Sequence, residues 1–291
     1  MPVRLPYRRA LLLSLPGLAL SAPAPGTIVY PVFGGLQDGF GRFCSELLKL
    51  AVERSGTNYR TEAIVHPVGQ GRAIRELALG RPDFNMIRSM TSVDREQMLL
   101  PIRVPVDRGL MGWRLLLVRR EDQAAFARMH SLDELKVLTA GQMYDWPDTT
   151  ILRANGLQVG TASQYLKLFS MLARGRIDYF PRSVLEIEEE LANYGGGELA
   201  IAPGLMLRYP TAFYFFVSPH EPRLAEDLRR GMDRAVSDGS LQALFQQLVM
   251  PHLKRLNLAE RRVLQLKNPL LPAATPLQRA ELWEEPGGRG L

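Results

Sequence analysis

The period of the apolar residues changes repeatedly along this chain, and that alternation restricts its fold more than any other feature. Thr27 to Val32 reads as a strand. Phe40, Phe43, Cys44, Leu47, Leu48 and Ala51 then fall on one helical face, with Asp38 as cap and Gly56 as stop. Tyr59 to Val65 alternates as a second strand. A short helix follows over about 71–79, stopped by Gly80, and Asp83 to Ile87 is a third strand. Strand and helix in turn favour a parallel sheet covered by helices.

The cycle then repeats. Leu115 to Val118 is a continuous apolar run between arginines, so it reads as a buried strand. Ser131-Leu132-Asp133-Glu134-Leu135 is a capped helical turn. Strands are expected at Val137–Ala140, Leu157–Gly160, Ile177–Phe180 and Leu199–Ala202, with helices at about 163–173 and 184–193. Ala212 to Val217 mirrors Leu115 to Val118, and helices over about 222–237 and 240–249 end at Pro251. The fold class is therefore α/β, with two doubly wound lobes joined by two crossing strands. The expected division is 25–112 plus 219–268 as a discontinuous first lobe, and 113–218 as a second lobe with a crossing strand at each end. The Pro- and Gly-rich 269–291 is an extended tail. A ligand in such a molecule sits between the lobes, at strand ends and helix N-termini.

Residues 1–24 have a different character. Arg4, Arg8 and Arg9 precede an apolar run from Ala10 to Leu20, and small residues follow at Ser21, Ala22 and Ala24. Positive, apolar, small is the order of a cleaved secretory signal, and the run is too short to span a bilayer. The product is expected in the periplasm, as a soluble monomer. Cys44 is the only cysteine, so no disulfide forms within one chain, and its place on an apolar helix face marks a core residue. A net charge of +6 without a basic tract gives little support for nucleic-acid binding.

Several segments carry a family likeness. They are Leu77-Ala78-Leu79-Gly80-Arg81-Pro82-Asp83, Met90-Thr91 with Arg95-Glu96, the Ser131–Leu135 turn, and above all Met171-Leu172-Ala173-Arg174-Gly175-Arg176-Ile177-Asp178. In their order over roughly 28–248 they resemble the bacterial extracellular solute-binding proteins of the polar amino-acid type. The resemblance implies the type II periplasmic-binding fold, closure about a hinge, and delivery of solute to an ABC-type membrane permease. It implies Arg95, near Thr91, as the fork for a ligand carboxylate, with Arg88 competing for that role. It implies Thr161, after Gly160, as a contact at a helix N-terminus beside Ser163, although both hydroxyls suit a helix cap equally.

One departure from the family stands out. Where its amino-acid binders carry an acid for the ligand ammonium, this chain has Ser183, preceded by Arg182. With Arg182 in the cleft the site would be cationic on both sides, which favours an organic acid or other anionic solute over an α-amino acid. Gln142, Tyr144 and Trp146 in the segment 141–147, and Tyr30 and Phe33 at the end of the first strand, are candidates for the ligand wall or for core.

No catalytic motif is present. The four histidines are scattered without metal spacing, and no metal or cofactor is expected. The run Glu188-Glu189-Glu190 reads as a solvated face. A dehydratase on the same fold, with Asp145 and Arg182 as its acid–base pair, and a sensory partner docking to a receptor are the alternatives to a solute binder.

Overall fold

The computed structural model describes residues 26–33, 39–66, 69–80 and 83–284. The leader expected at 1–24, the cap Asp38, Arg81-Pro82 and the end of the tail lie outside the described residues.

The first part of the chain forms β1 (Thr27–Val32), α1 (Gly39–Ser55), β2 (Arg60–Val65), α2 (Gln70–Ala78), β3 (Met86–Met90), α3 (Val93–Met98) and β4 (Leu100–Ile102). β1 pairs in parallel with β2. Asn85 ties β1 to the start of β3, because its side chain accepts from Val29 N–H (3.0 Å) and donates to Thr27 O (3.0 Å). The middle of the chain forms β5 (Trp113–Arg119), α4 (Gln123–Ala127), α5 (Leu132–Lys136), β6 (Thr139–Met143), α6 (Pro147–Ala154), β7 (Gln158–Ala162) and α7 (Tyr165–Ala173). It continues through β8 (Tyr179–Ser183), α8 (Ile187–Tyr194), β9 (Leu199–Ile201) and β10 (Leu205–Arg208). The rest forms β11 (Phe213–Val217), α9 (Pro222–Ser237), α10 (Ser240–Leu248), α11 (Met250–Arg255) and β12 (Arg262–Gln265).

Two sheet systems result. β3, β11 and β4 form one, beside the β1–β2 pair; the other runs β12-β10-β5-β8-β6-β7, with β9 also on β5. α/β layering with alternating strands and helices is thus the architecture, as the periodicity implies. The expected turn at Ser131 is a capping box with Glu134. α1 carries its apolar face into the core, with Phe43, Leu47 and Leu48 fully buried. α9 packs against it so closely that a Cβ at Gly231 would lie 1.9 Å from Ala51 O.

The two apolar runs read as crossings are paired within the sheets, and the links between the lobes lie at their ends. β5 is paired on both sides within the larger sheet, and β11 lies between β3 and β4. A continuous apolar run marks a strand buried on both faces, and a connector has no need of one. The chain passes between the sheets in the segments 103–112 and 209–212, which lie side by side: Tyr209 N–H donates to Gly112 O at 3.1 Å. A Cβ at Gly112 would stand 2.1 Å from Tyr209 O, so only glycine fits there. Asp107 pins the two segments, accepting from Met111 N–H (2.8 Å) and Phe213 N–H (3.1 Å).

The segment after 218 does not stay with the first sheet. β12 pairs in parallel with β10, so the chain crosses a third time. It then returns, where Val93 N–H donates to Leu270 O (3.1 Å). The tail up to Glu284 is docked: Trp283 packs on Gly109, and Arg108 pairs with Glu284 at 3.1 Å.

Candidate functional site

The two sheet systems meet where α2 and α3 of the first face the turn between β6 and α6 of the second. α2 opens with Gly69 at its N-cap, and no side chain caps it from within. Its Gly71 N–H donates to Asp145 Oδ2 across the junction at 3.1 Å. A Cβ on residue 71 would approach that oxygen to 3.0 Å, so the missing side chain is what lets the carboxylate seat. Free amides and the helix dipole favour an anion at this end.

Arg95 lies beside this contact. It projects from α3 and is 6% exposed. Nη1 donates to Ser89 Oγ (2.5 Å) and Met90 O (2.9 Å), while Nη2 reaches Asp145 O of the other half at 3.5 Å. Ser89 Oγ in turn donates to Gln70 Oε1 at 3.1 Å. Arg95 forms no salt bridge among the described residues. Burial therefore pulls its guanidinium down to about 10, against the opposing charges of Asp145 and Asp148. On the other side, Asp145 Oδ1 and Gln142 Oε1 are buried with no hydrogen-bond partner among the described residues. A buried guanidinium without a carboxylate and buried acceptors without donors are uncommon in folded proteins.

Behind the junction sits a closed ion cluster. Arg114 Nη2 meets Asp148 Oδ1 at 2.6 Å, Arg114 Nε donates to the Tyr209 hydroxyl at 2.8 Å, and that hydroxyl donates to Asp148. Burial and Asp148 hold the Tyr209 hydroxyl well above its usual range, so it stays protonated and acts as donor. Sequence reading missed this cluster, as it missed Ser89, Gln70 and Gly71. Its members come from β5, α6 and the link after β10, and no local spacing joins them.

The other candidate residues separate. Arg88 neighbours Ser89 on β3 and so faces the opposite side of the strand from the Arg95 network. Its Nη1 is buried without a partner among the described residues. Thr91 is fully buried and donates to Glu96 (2.6 Å), a local role. Thr161 ends up in β7 and exposed, and Ser163 is exposed; neither caps α7, whose N-cap is Gln164. The strand runs two residues further than its apolar part, which carries Thr161 away from the helix start. Tyr144 is 60% exposed. Tyr30 is core, its hydroxyl donating to Ser45 Oγ at 2.9 Å. Phe33 is half-buried and meets the His66 ring edge-on at 6.3 Å.

Arg182 is the largest correction. It is buried in β8 and paired with Glu186 (2.9 Å) and Glu190 (2.5 Å). Its guanidinium lies over Trp146 at 4.7 Å and Phe180 at 5.1 Å. Two carboxylates and two ring faces satisfy it, so it lends no positive charge to a ligand, and Asp145 gains no acid–base partner from it. Glu190 is accordingly not on a solvated face: it is buried and also accepts from the Tyr165 hydroxyl at 2.5 Å. Ser183 is fully buried and donates to Leu110 O at 3.3 Å.

No protein-family model and no curated protein matches the chain. Solved structures do. The periplasmic VFT2 domain of BvgS from Bordetella pertussis is 18% identical, with 77% of this chain and 93% of that one covered at a TM-score of 0.58. A periplasmic arginine-binding protein of Salmonella typhimurium is 14% identical over 76% and 98%, at 0.56. The GluR0 ligand-binding core of Nostoc punctiforme, solved with L-glutamate, is 16% identical over 77% and 98%, at 0.55. The chain has the type II periplasmic-binding fold. In this fold the junction of Arg95, Gly71 and Asp145 lies between two lobes, the first built on β1–β4 and β11, the second on β5–β10 and β12. Among the described residues no group of His, Cys, Asp and Glu is placed to hold a metal ion, and no helix is long and apolar enough to cross a membrane.

Proposed function

We propose that the chain is a solute-binding protein of the bacterial cell envelope, and that it takes one small polar solute between its lobes. Arg95 carries this reading: it is a buried guanidinium at the lobe junction that lacks a carboxylate of its own. A ligand carboxylate would supply the missing charge through a charge-assisted hydrogen bond. Asp145 Oδ1 and Gln142 Oε1 call for donors, and an ammonium or amide would supply them. The preference for an organic acid or other anionic solute rested on Arg182, whose charge is already neutralised within its own lobe. The solute is therefore read as bearing one carboxylate and one nitrogen donor.

Amino-acid-binding proteins with this fold, some from ABC transporters, support the reading, as does the leader expected at 1–24. Delivery to a membrane permease is the role it gives the closed form. The experiment is calorimetric titration of the purified protein with α-amino acids, with dicarboxylates and with simple amines. Binding of an amino acid, lost in Arg95→Met and weakened in Asp145→Asn, is the expected result. Dicarboxylate binding indifferent to Asp145→Asn would overturn the assignment of the donor end.

A further inference from the structure

The contacts between the lobes have a common form. Asp145 of the second lobe places Oδ2 on Gly71 N–H, in the first turn of α2, at 3.1 Å. Glu189 of the second lobe places Oε2 on Gly39 N–H, the first residue of α1, at 2.7 Å. Two helix N-termini of the first lobe thus each hold a carboxylate that belongs to the protein. α2 starts without a side-chain cap of its own, so Asp145 supplies an acceptor for an otherwise orphaned amide, and Glu189 supplies one to the first amide of α1. They are the groups that a free anionic solute would bring to the same amides.

A second set of contacts spans the lobes at the C-terminal end. α11 follows the first-lobe helices α9 and α10 yet docks on the second lobe: His252 Nε2 meets Val184 O at 2.7 Å, and Arg255 pairs with Glu188 at 2.9 Å. Beyond it the chain adds β12 to the second sheet and returns to the first lobe at Leu270. Asn155 holds this strap on the way, exchanging hydrogen bonds with the Lys267 backbone at 2.8 and 2.9 Å. The strap closes a ring of covalent chain and hydrogen bonds around the junction.

We propose that the Asp145 and Glu189 carboxylates seated on the α2 and α1 N-termini, together with the C-terminal strap, hold the lobes closed in the solute-free protein. The protein's own anions occupy these amides. Two consequences follow: the resting molecule has the closed shape, and a solute enters by breaking the carboxylate contacts before it makes its own. The proposal concerns the solute-free molecule, so it is tested apart from the identity of any solute.

Small-angle X-ray scattering on protein stripped of small molecules by unfolding and refolding, with native mass spectrometry to verify an empty cleft, reads the resting shape directly. The stripped protein is expected to scatter as the closed structure. The double variant Asp145→Ala with Glu189→Ala is expected to show a larger radius of gyration and a population of open molecules. The milder pair Asp145→Asn with Glu189→Gln keeps side-chain volume and should shift in the same direction by less. It guards against misfolding, which near-ultraviolet circular dichroism detects. An open stripped wild type, or folded variants as compact as wild type, would overturn the latch. Calorimetry on the same samples reports solute binding independently: a latch that fails in a protein that still binds, or one that holds in a protein that binds nothing, separates the two proposals.

Discussion

Replacing Arg95 with methionine keeps the buried stem and removes the charge. Its two hydrogen bonds within the first lobe go, but so does the desolvation cost of an uncompensated guanidinium. Urea unfolding should place Arg95→Met within about 1 kcal/mol of wild type, whereas Arg95→Ala adds a void and should cost about 1–3 kcal/mol. Asp107 makes a pH prediction. Burial pushes its carboxyl up from 3.8 to about 6, although Met111 and Phe213 amides favour the ionised form. Between those values the folded chain holds a proton that the unfolded chain has released. The stabilisation is complete below the unfolded value and is lost as pH rises through about 6. From acid to neutral pH, wild type should therefore lose about 2–3 kcal/mol more than Asp107→Asn, measured by urea unfolding at both ends.

At the level of elements, α8 and β8 show where a sequence stops being readable. The apolar run Ile177–Phe180 puts the strand early, because its polar half, Pro181-Arg182-Ser183, gives no hydrophobic signal yet is paired along β5. Arg182 thereby moves from the expected cleft into a buried strand, where Glu186 and Glu190 meet it. The charges were visible and their pairing was not, since only the packing of α8 on the sheet decides it. Glu190→Gln should cost about 3 kcal/mol, because Arg182 then keeps only Glu186. β10, α11 and β12 are short and weakly patterned, and were not legible. β1, α1, β5, α7 and α9 were, since each has a long apolar face or run. At the α1–α9 contact, Gly231→Ala should destabilise by about 3 kcal/mol or more, because the new methyl meets backbone at 1.9 Å and no rotamer relieves it. Thermal melting checks both variants.

For the whole molecule, the alternation of strand and helix was enough to read two α/β lobes. The partnership of Gly71 with Asp145 was not readable, since it depends on how the lobes meet. Trp283, docked on Gly109 with its indole N–H on Pro276 O at 2.9 Å, anchors the far end of the chain. Trp283→Ala should lower the melting temperature, with a loss of about 3 kcal/mol in urea unfolding. Gly112 carries a last consequence. With no more than a hydrogen atom between its α-carbon and the Tyr209 carbonyl, the two linking segments lie backbone against backbone. One methyl added at this seam would wedge the two segments apart and shift both lobes together, while every residue that meets a solute stayed as it was.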